Sequence, residues 1–175
     1  RVFRWEEKLY VSGVRRDIKE DGEGRMELCE IKKTAEGYKE VSRMRIEVKP
    51  GTYLEKNWMP ILDMPYHYVR WSNPLEIVKV DIKNITKQKV SEGIINVIPS
   101  ETVINKKYTI PDIRSIRGGS QVTNYGEYKL AVIHECDYWI NEGGNKDAKY
   151  YHRFMFWDKD WNLVKITEPF KFMDA

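Results

Sequence analysis

The chain has 175 residues, 41% apolar and 33% charged, with a net charge of +3. That length suits a single domain with a real core, and the composition excludes a disordered segment. Evenly mixed charge without a long basic run excludes a dedicated nucleic-acid protein, and no apolar run approaches the roughly 18 residues of a membrane span.

Aromatic residues reach 13%, with 6 Trp and 11 Tyr. That suits β structure, or a surface that stacks on sugars or bases. The opening Arg1-Val2-Phe3-Arg4-Trp5 already alternates as a strand does, so it reads as mid-domain and not as a signal peptide. Cys29 and Cys136 lie far apart without metal-ligand spacing. Free thiols in a reducing, cytoplasmic setting are expected, over a disulfide.

Residues 2–16 alternate on either side of a Glu-Glu-Lys turn and predict a hairpin. Gly22 and Gly24 then turn the chain, and Met26, Leu28 and Ile31 start another strand. Residues 38–48 place Val41, Met44, Ile46 and Val48 between charges, as an antiparallel strand with one solvated face would. After the Pro50-Gly51 turn come a strand around Trp58, the stretch Tyr66-His67-Tyr68-Val69-Arg70-Trp71, a Ser72-Asn73-Pro74 turn and a returning strand. Residues 83–105 are the least legible. They read as a strand pair or a short helix, with Ile and Val favouring strands. Residues 106–112 read as a loop. From Ile113 to Asp158 run a double-glycine segment, the strand Tyr128-Lys129-Leu130-Ala131-Val132-Ile133-His134-Glu135, a polar loop, and Tyr150-Tyr151-His152-Arg153-Phe154-Met155-Phe156-Trp157.

No window has convincing helical periodicity, so the fold is expected to be all-β, with short antiparallel strands about 8–12 residues apart. An echo between the segments that start at Trp71 and Trp157 supports an internal repeat. Propeller blades run roughly 40–50 residues, so this spacing fits two blades, or one blade with an insertion. Counting hairpins predicts a partial or incomplete β-propeller of about three blades, where closed propellers have roughly 4–8.

Several clusters mix polar groups with rings. Glu55-Lys56-Asn57-Trp58 sets a carboxylate, a cation, an amide and an indole in four residues. Strand alternation sends Glu55 and Asn57 one way and Lys56 and Trp58 the other. Planar polar groups suit paired sugar hydroxyls, and a ring suits the C–H face of a pyranose. The alternative is a solvated strand end with a core Trp. His134-Glu135 ends a strand pattern, where a half-buried glutamate acts as a general acid or else forms a rim salt bridge. Glycoside chemistry normally needs a second carboxylate, and Asp17, Glu27 and Glu55 are the candidates. Arg117-Gly118-Gly119-Ser120 offers amides, a hydroxyl and a guanidinium to an anion or a polar sugar edge, or is simply a turn. His152-Arg153 and Arg15-Arg16-Asp17 are read equally as ligand contacts or surface ion pairs. Tyr66-His67-Tyr68 with Arg70-Trp71 forms a candidate stacking rim. The three histidines lack zinc spacing, and no metal or cofactor is expected.

Several of these segments occur in a characteristic order: Arg1 to Gly13, Glu55 to Pro60, Arg117 to Gln121, Tyr128 to Glu135, Tyr150 to Asp158 and Glu168 to Phe172. In that order the chain resembles the five-bladed β-propeller superfamily of carbohydrate-active enzymes. It is most similar to the mannoside phosphorylase and mannosidase branch, and to propeller domains fused to glycosyltransferases. The resemblance implies a pocket for a sugar or sugar phosphate built from Lys56, Asn57, Trp58, Arg117, Gly118, Gly119, Ser120, His134 and Arg153, with Glu135 and Glu55 as acid/base candidates. It also implies blades missing before Arg1 and after Ala175, so that another chain or domain completes the ring. The competing expectations are a non-catalytic binding or assembly module of the same fold, and a protein-interaction propeller whose aromatics are core.

Overall fold

Alternating apolar and charged residues give strands along almost the whole chain, and the computed structural model describes residues 1–16, 22–90, 93–110 and 116–172. The first four strands are β1 (Val2–Trp5), β2 (Lys8–Arg15), β3 (Arg25–Thr34) and β4 (Gly37–Glu47), an antiparallel meander. Glu6 and Glu7 take positive φ of 47° and 63° to make the tight turn between β1 and β2. The next group is β5 (Met59–Pro60), β6 (His67–Ser72) and β7 (Leu75–Val80), then β8 (Thr86–Val90) and the long β9 (Gly93–Lys106). The last is β10 (Ile116–Gly118), β11 (Thr123–Tyr125), β12 (Tyr128–Ile140), β13 (Lys146–Trp157) and β14 (Leu163–Ile166). No helix occurs among the described residues.

Strand β9 is the joint of the molecule. Its first half runs parallel to β4, with Ile46 opposite Ile98, and its second half runs antiparallel to β7, with Val80 opposite Ser100. Pro99 sits at the change of partner, and the Ser100 hydroxyl donates to Glu47 O at 2.7 Å across it. Nine strands therefore share one hydrogen-bonded sheet, in the order β1-β2-β3-β4-β9-β7-β6-β5 with β8 beside β9. The sheet curls into a nearly closed, barrel-like form. Trp5 in β1 donates its indole N–H to Ile61 O, just past β5, at 2.8 Å. The second sheet runs β10-β12-β13-β14, with β11 beside β12. It joins the first through a parallel bridge between Ile61 and Val122.

Two cores fill the space between consecutive groups. The first buries Trp5, Tyr10, Leu28 and Ile46 from β1–β4 against Trp58, Tyr68 and Val78. The second buries Val69, Leu75 and Ile77 against Ile133, Met155 and Trp157 of the last sheet. The β6–β7 pair serves both. Tyr68 opposite Val78 faces the first core, and Val69 opposite Ile77 faces the second. A strand pair covered on both faces needs consecutive apolar residues, which is why Tyr68-Val69 and Ile77-Val78 break simple alternation. Each large side chain buried this way contributes about 1.5–3 kcal/mol.

The expected hairpin, the Met26 strand and the strand reading of 83–105 match the observed elements, the last as β8 and β9. Val41 is the exception on β4. Glu30 pairs with Ser42 and Ile31 with Glu40, so Val41 is the extra residue of a bulge and is 48% exposed. Met44, Ile46 and Val48 do enter the core. The echo joins strands that are not equivalent. Trp71 leads from β6 to β7, whereas Trp157 leads from the third to the fourth strand of the last sheet. The two segments are similar hairpins in different places. Cys29 and Cys136 are free thiols. No helix among the described residues is long and apolar enough to cross a membrane.

Candidate functional site

The first strand of each group ends near the same place. Arg1 precedes β1, Asn57 precedes β5, and Gly118 closes β10. With Gly119, Ser120, His134, His152 and Phe172 they line a pocket of about 320 Å³. Asn57 stands at φ 64°, a conformation that asparagine tolerates better than most residues. This turns its carbonyl onto Gly118, where a Cβ would meet Asn57 O at 2.1 Å and Met59 Cγ at 2.6 Å. A Cβ on Gly119 would meet Val132 O at 2.7 Å. Both glycines are therefore demanded by close backbone approach.

Among the described residues, those that line the pocket include no carboxylate. Arg1 donates from Nη2 to Gly118 O at 3.1 Å, while its buried Nε has no partner among the described residues. Burial lowers the Arg1 pKa, opposed by Tyr68. His134 and His152 are register partners on β12 and β13, with ring centroids 6.4 Å apart. Burial pushes the His134 pKa below its ordinary value, and repulsion from His152, Arg1, Arg117 and Lys56 adds to the shift. His152 is held by two backbone hydrogen bonds with Phe170, each 2.8 Å, and its ring lies 4.7 Å from Phe172. Its Nδ1 is buried without a partner among the described residues. The half-buried Asn57 side chain has no hydrogen-bond partner among the described residues. An electropositive concavity with unused donors beside an aromatic ring suits an anion carrying a polar ring.

Asn57, Gly118, Gly119, Ser120 and His134 thus line one pocket, with contacts that differ from the roles read in the sequence. The Gly119 and Ser120 amides both donate to Val132 O at 3.0 Å, so neither is offered to a ligand. The Ser120 hydroxyl accepts from Val132 N and donates to Gln121 O. Arg117 stacks over Trp71 at 5.4 Å; it stands opposite His134 in the β10–β12 ladder and acts on its ring through charge. Lys56 is exposed and acts on His134 in the same way. Trp58 belongs to the first core, with its indole N–H on Glu55 at 3.1 Å.

Glu55 is 1% exposed and accepts five hydrogen bonds, from the Thr52 amide and hydroxyl, Trp58, and Arg70 Nε and Nη2. Burial pushes its pKa up, but the Arg70 and Thr52 bonds outweigh that and hold it below the ordinary value. It is an ionised tie between Trp58 and β6. Glu135 lies inside β12, which runs on to Ile140, and not past the strand's end. Alternation points it to the opposite face from His134, where Arg153 Nε holds it. Arg153 also donates to Thr167 O at 2.9 Å. His152, not Arg153, lines the pocket. Glu27 faces away from the first core and accepts from Arg43 at 3.3 Å, and Asp17 lies outside the described residues. The stacking rim dissolves as well. Tyr68 is fully buried, and the Tyr66 hydroxyl donates to Glu6 at 2.8 Å.

Sequence reasoning missed Arg1 and undervalued His152. The Gly143-Gly144 turn between β12 and β13 carries a signal for the second. His134 and His152 each lie nine residues from Gly143, so a hairpin centred there makes them partners. Arg1 had no such signal. A groove of about 560 Å³ near Tyr66 and Lys79 has mixed charge and is no match for these unused donors. No protein-family model, curated protein or solved structure matches this chain.

Proposed function

We propose that this chain is a carbohydrate-binding portion of a β-propeller whose ligand is a sugar phosphate. The observation that carries the reading is the pocket at Arg1, Asn57, His134 and His152, where, among the described residues, no carboxylate lines the wall and buried Arg1 Nε and His152 Nδ1 have no partner. A phosphate oxygen would satisfy those donors, and Phe172 would cover the apolar side of a pyranose.

The propeller part of the proposal rests on the strand grouping. β1-β2-β3-β4, β5-β6-β7-β9 and β10-β12-β13-β14 are each four hydrogen-bonded neighbours, and successive groups pack face to face through the two cores. The first strand of each group borders the pocket, as blades border an axis. On this reading the joint at β9 is a contact between adjacent blades. Membership in the five-bladed carbohydrate-active superfamily, near the mannoside phosphorylase branch and glycosyltransferase-fused domains, is part of the proposal. Binding is favoured over catalysis by Glu55 and Glu135. Neither lines the pocket and each is engaged by an arginine.

A thermal-shift panel of hexoses, hexose 1-phosphates and inorganic phosphate tests this. A true ligand at about 100 times its dissociation constant stabilises by about 2.7 kcal/mol. That is roughly 5–11 °C for a chain of this size. His134→Gln and Asn57→Ala should abolish the shift. A panel in which no sugar phosphate shifts the transition overturns the proposal.

A further inference from the structure

The outer face of the first four strands holds a buried cation that the fold leaves unsatisfied. Arg45 stands on β4 between Met44 and Ile46, whose side chains enter the first core. Its own side chain therefore leaves on the opposite face. It is 2% exposed, yet among the described residues Nε and Nη2 have no hydrogen-bond partner. Those two N–H groups form the parallel pair along one edge of the guanidinium that grips both oxygens of a carboxylate.

The fold does not answer this demand from within. Glu27, directly opposite on β3, accepts from Arg43 Nη1 at 3.3 Å. Glu40 takes both Arg43 Nε and Nη2, at 3.0 and 2.7 Å. Burial and the neighbouring Arg25 both act to lower the Arg45 pKa, against weaker help from Glu27 and Glu47. Buried N–H groups without acceptors are a standing cost to the folded state. Arg45 lines a cavity of about 570 Å³ together with Arg15, Arg43, Glu27, Glu40, Ile94 and Ile95. That volume is in the range of small-molecule sites.

We propose that this cavity is a second ligand site, for a small carboxylic acid anion whose two oxygens accept from Arg45 Nε and Nη2. It lies on the opposite face of β4 from the first core and shares no lining residue with the Asn57–His134 pocket. The ligand adds the missing acceptors to a guanidinium that is already stripped of water and held in place.

The test is a titration with malonate followed by the Nε–H resonance of Arg45, beside Arg45→Met and Arg45→Lys proteins. Malonate should shift that resonance saturably. Both variants should lose malonate affinity at least tenfold, since neither has the fork. Ligand-free Arg45→Met should melt no lower than the parent, because the substitution removes two buried N–H groups that lack acceptors. Neither variant should change any thermal shift given by a hexose 1-phosphate. The proposal is overturned if the Arg45 resonance does not move, or if Arg45→Met binds malonate like the parent. It is also overturned if Arg45→Met melts several degrees lower without ligand, which would mean that Arg45 already holds the fold together. An equal response to inorganic phosphate would overturn the carboxylate assignment.

Discussion

Replacing Glu55 by Ala removes the acceptor of five hydrogen bonds at a site that is 1% exposed. The Arg70 side chain, only 5% exposed, keeps Glu76 at 3.1 Å and Pro50 O at 3.0 Å but loses its principal partner. Breaking a buried ion pair from one side costs about 3–5 kcal/mol. The orphaned Trp58 indole N–H adds about 1–3 kcal/mol, and the surviving Glu76 contact offsets part of the total. A net loss of about 3–5 kcal/mol corresponds to a fall in Tm of roughly 6–20 °C. Urea denaturation at constant m-value is the assay, with Glu55→Gln expected to fall in between. The double variant Glu55→Ala/Arg70→Met should cost less than the sum of its parts, because the second change removes the stranded charge. The pH dependence has a definite sign. The folded-state pKa of Glu55 is depressed, so its contribution is present above the ordinary value of 4.5 and is lost as pH falls below it. If Glu55→Ala stays within about 1 kcal/mol of the parent, the ion pair is not structural and the reasoning fails.

Three further outcomes follow from the geometry. Gly118→Ala should cost more than about 3 kcal/mol and empty the pocket, since its Cβ would collide with backbone at 2.1 Å. Gly126→Ala, at φ 59° with open space around it, should cost only about 1–2 kcal/mol, and equal melting losses for the two would contradict the close-approach argument. Met155→Ala, fully buried in the second core, should cost about 2–5 kcal/mol, and a loss below about 1 kcal/mol in urea would mean that the last sheet is not packed on β6–β7. His134 has a depressed pKa in the folded state, so the unfolded chain binds the proton first and stability falls as pH drops through 6.5. His134→Gln should flatten that part of the Tm–pH curve, and an unchanged slope would show that His134 is not the group responsible.

The all-β class was legible because alternation is a local signal, and β1 to β4 and β12 to β13 carry it plainly. The joint at β9 was not, because nothing local in Gly93–Lys106 says that one half will pair in parallel with β4 and the other antiparallel with β7. Val41 was misplaced for a related reason. A bulge is set by the register of two strands, while the sequence pattern belongs to one. In the pocket, residue types were readable and roles were not. Gly118-Gly119 looked like an anion loop, yet its spacing serves close contact with Asn57 and Val132. Glu55 and Glu135 looked like a carboxylate pair. The arginines that claim them, Arg70 and Arg153, lie 15 and 18 residues further along the chain, where only the folded register brings them close.

Histidine ring resonances, followed while a hexose 1-phosphate is added, test the account most directly. The pocket predicts that His134 and His152 shift together and saturably, and that the His134 pKa rises as the anion offsets Arg1, Arg117 and Lys56. The remaining histidine, His67, hydrogen-bonded to Pro65 O, should stay still. If His67 responds while His134 and His152 do not, the three strand groups do not meet at a sugar phosphate site.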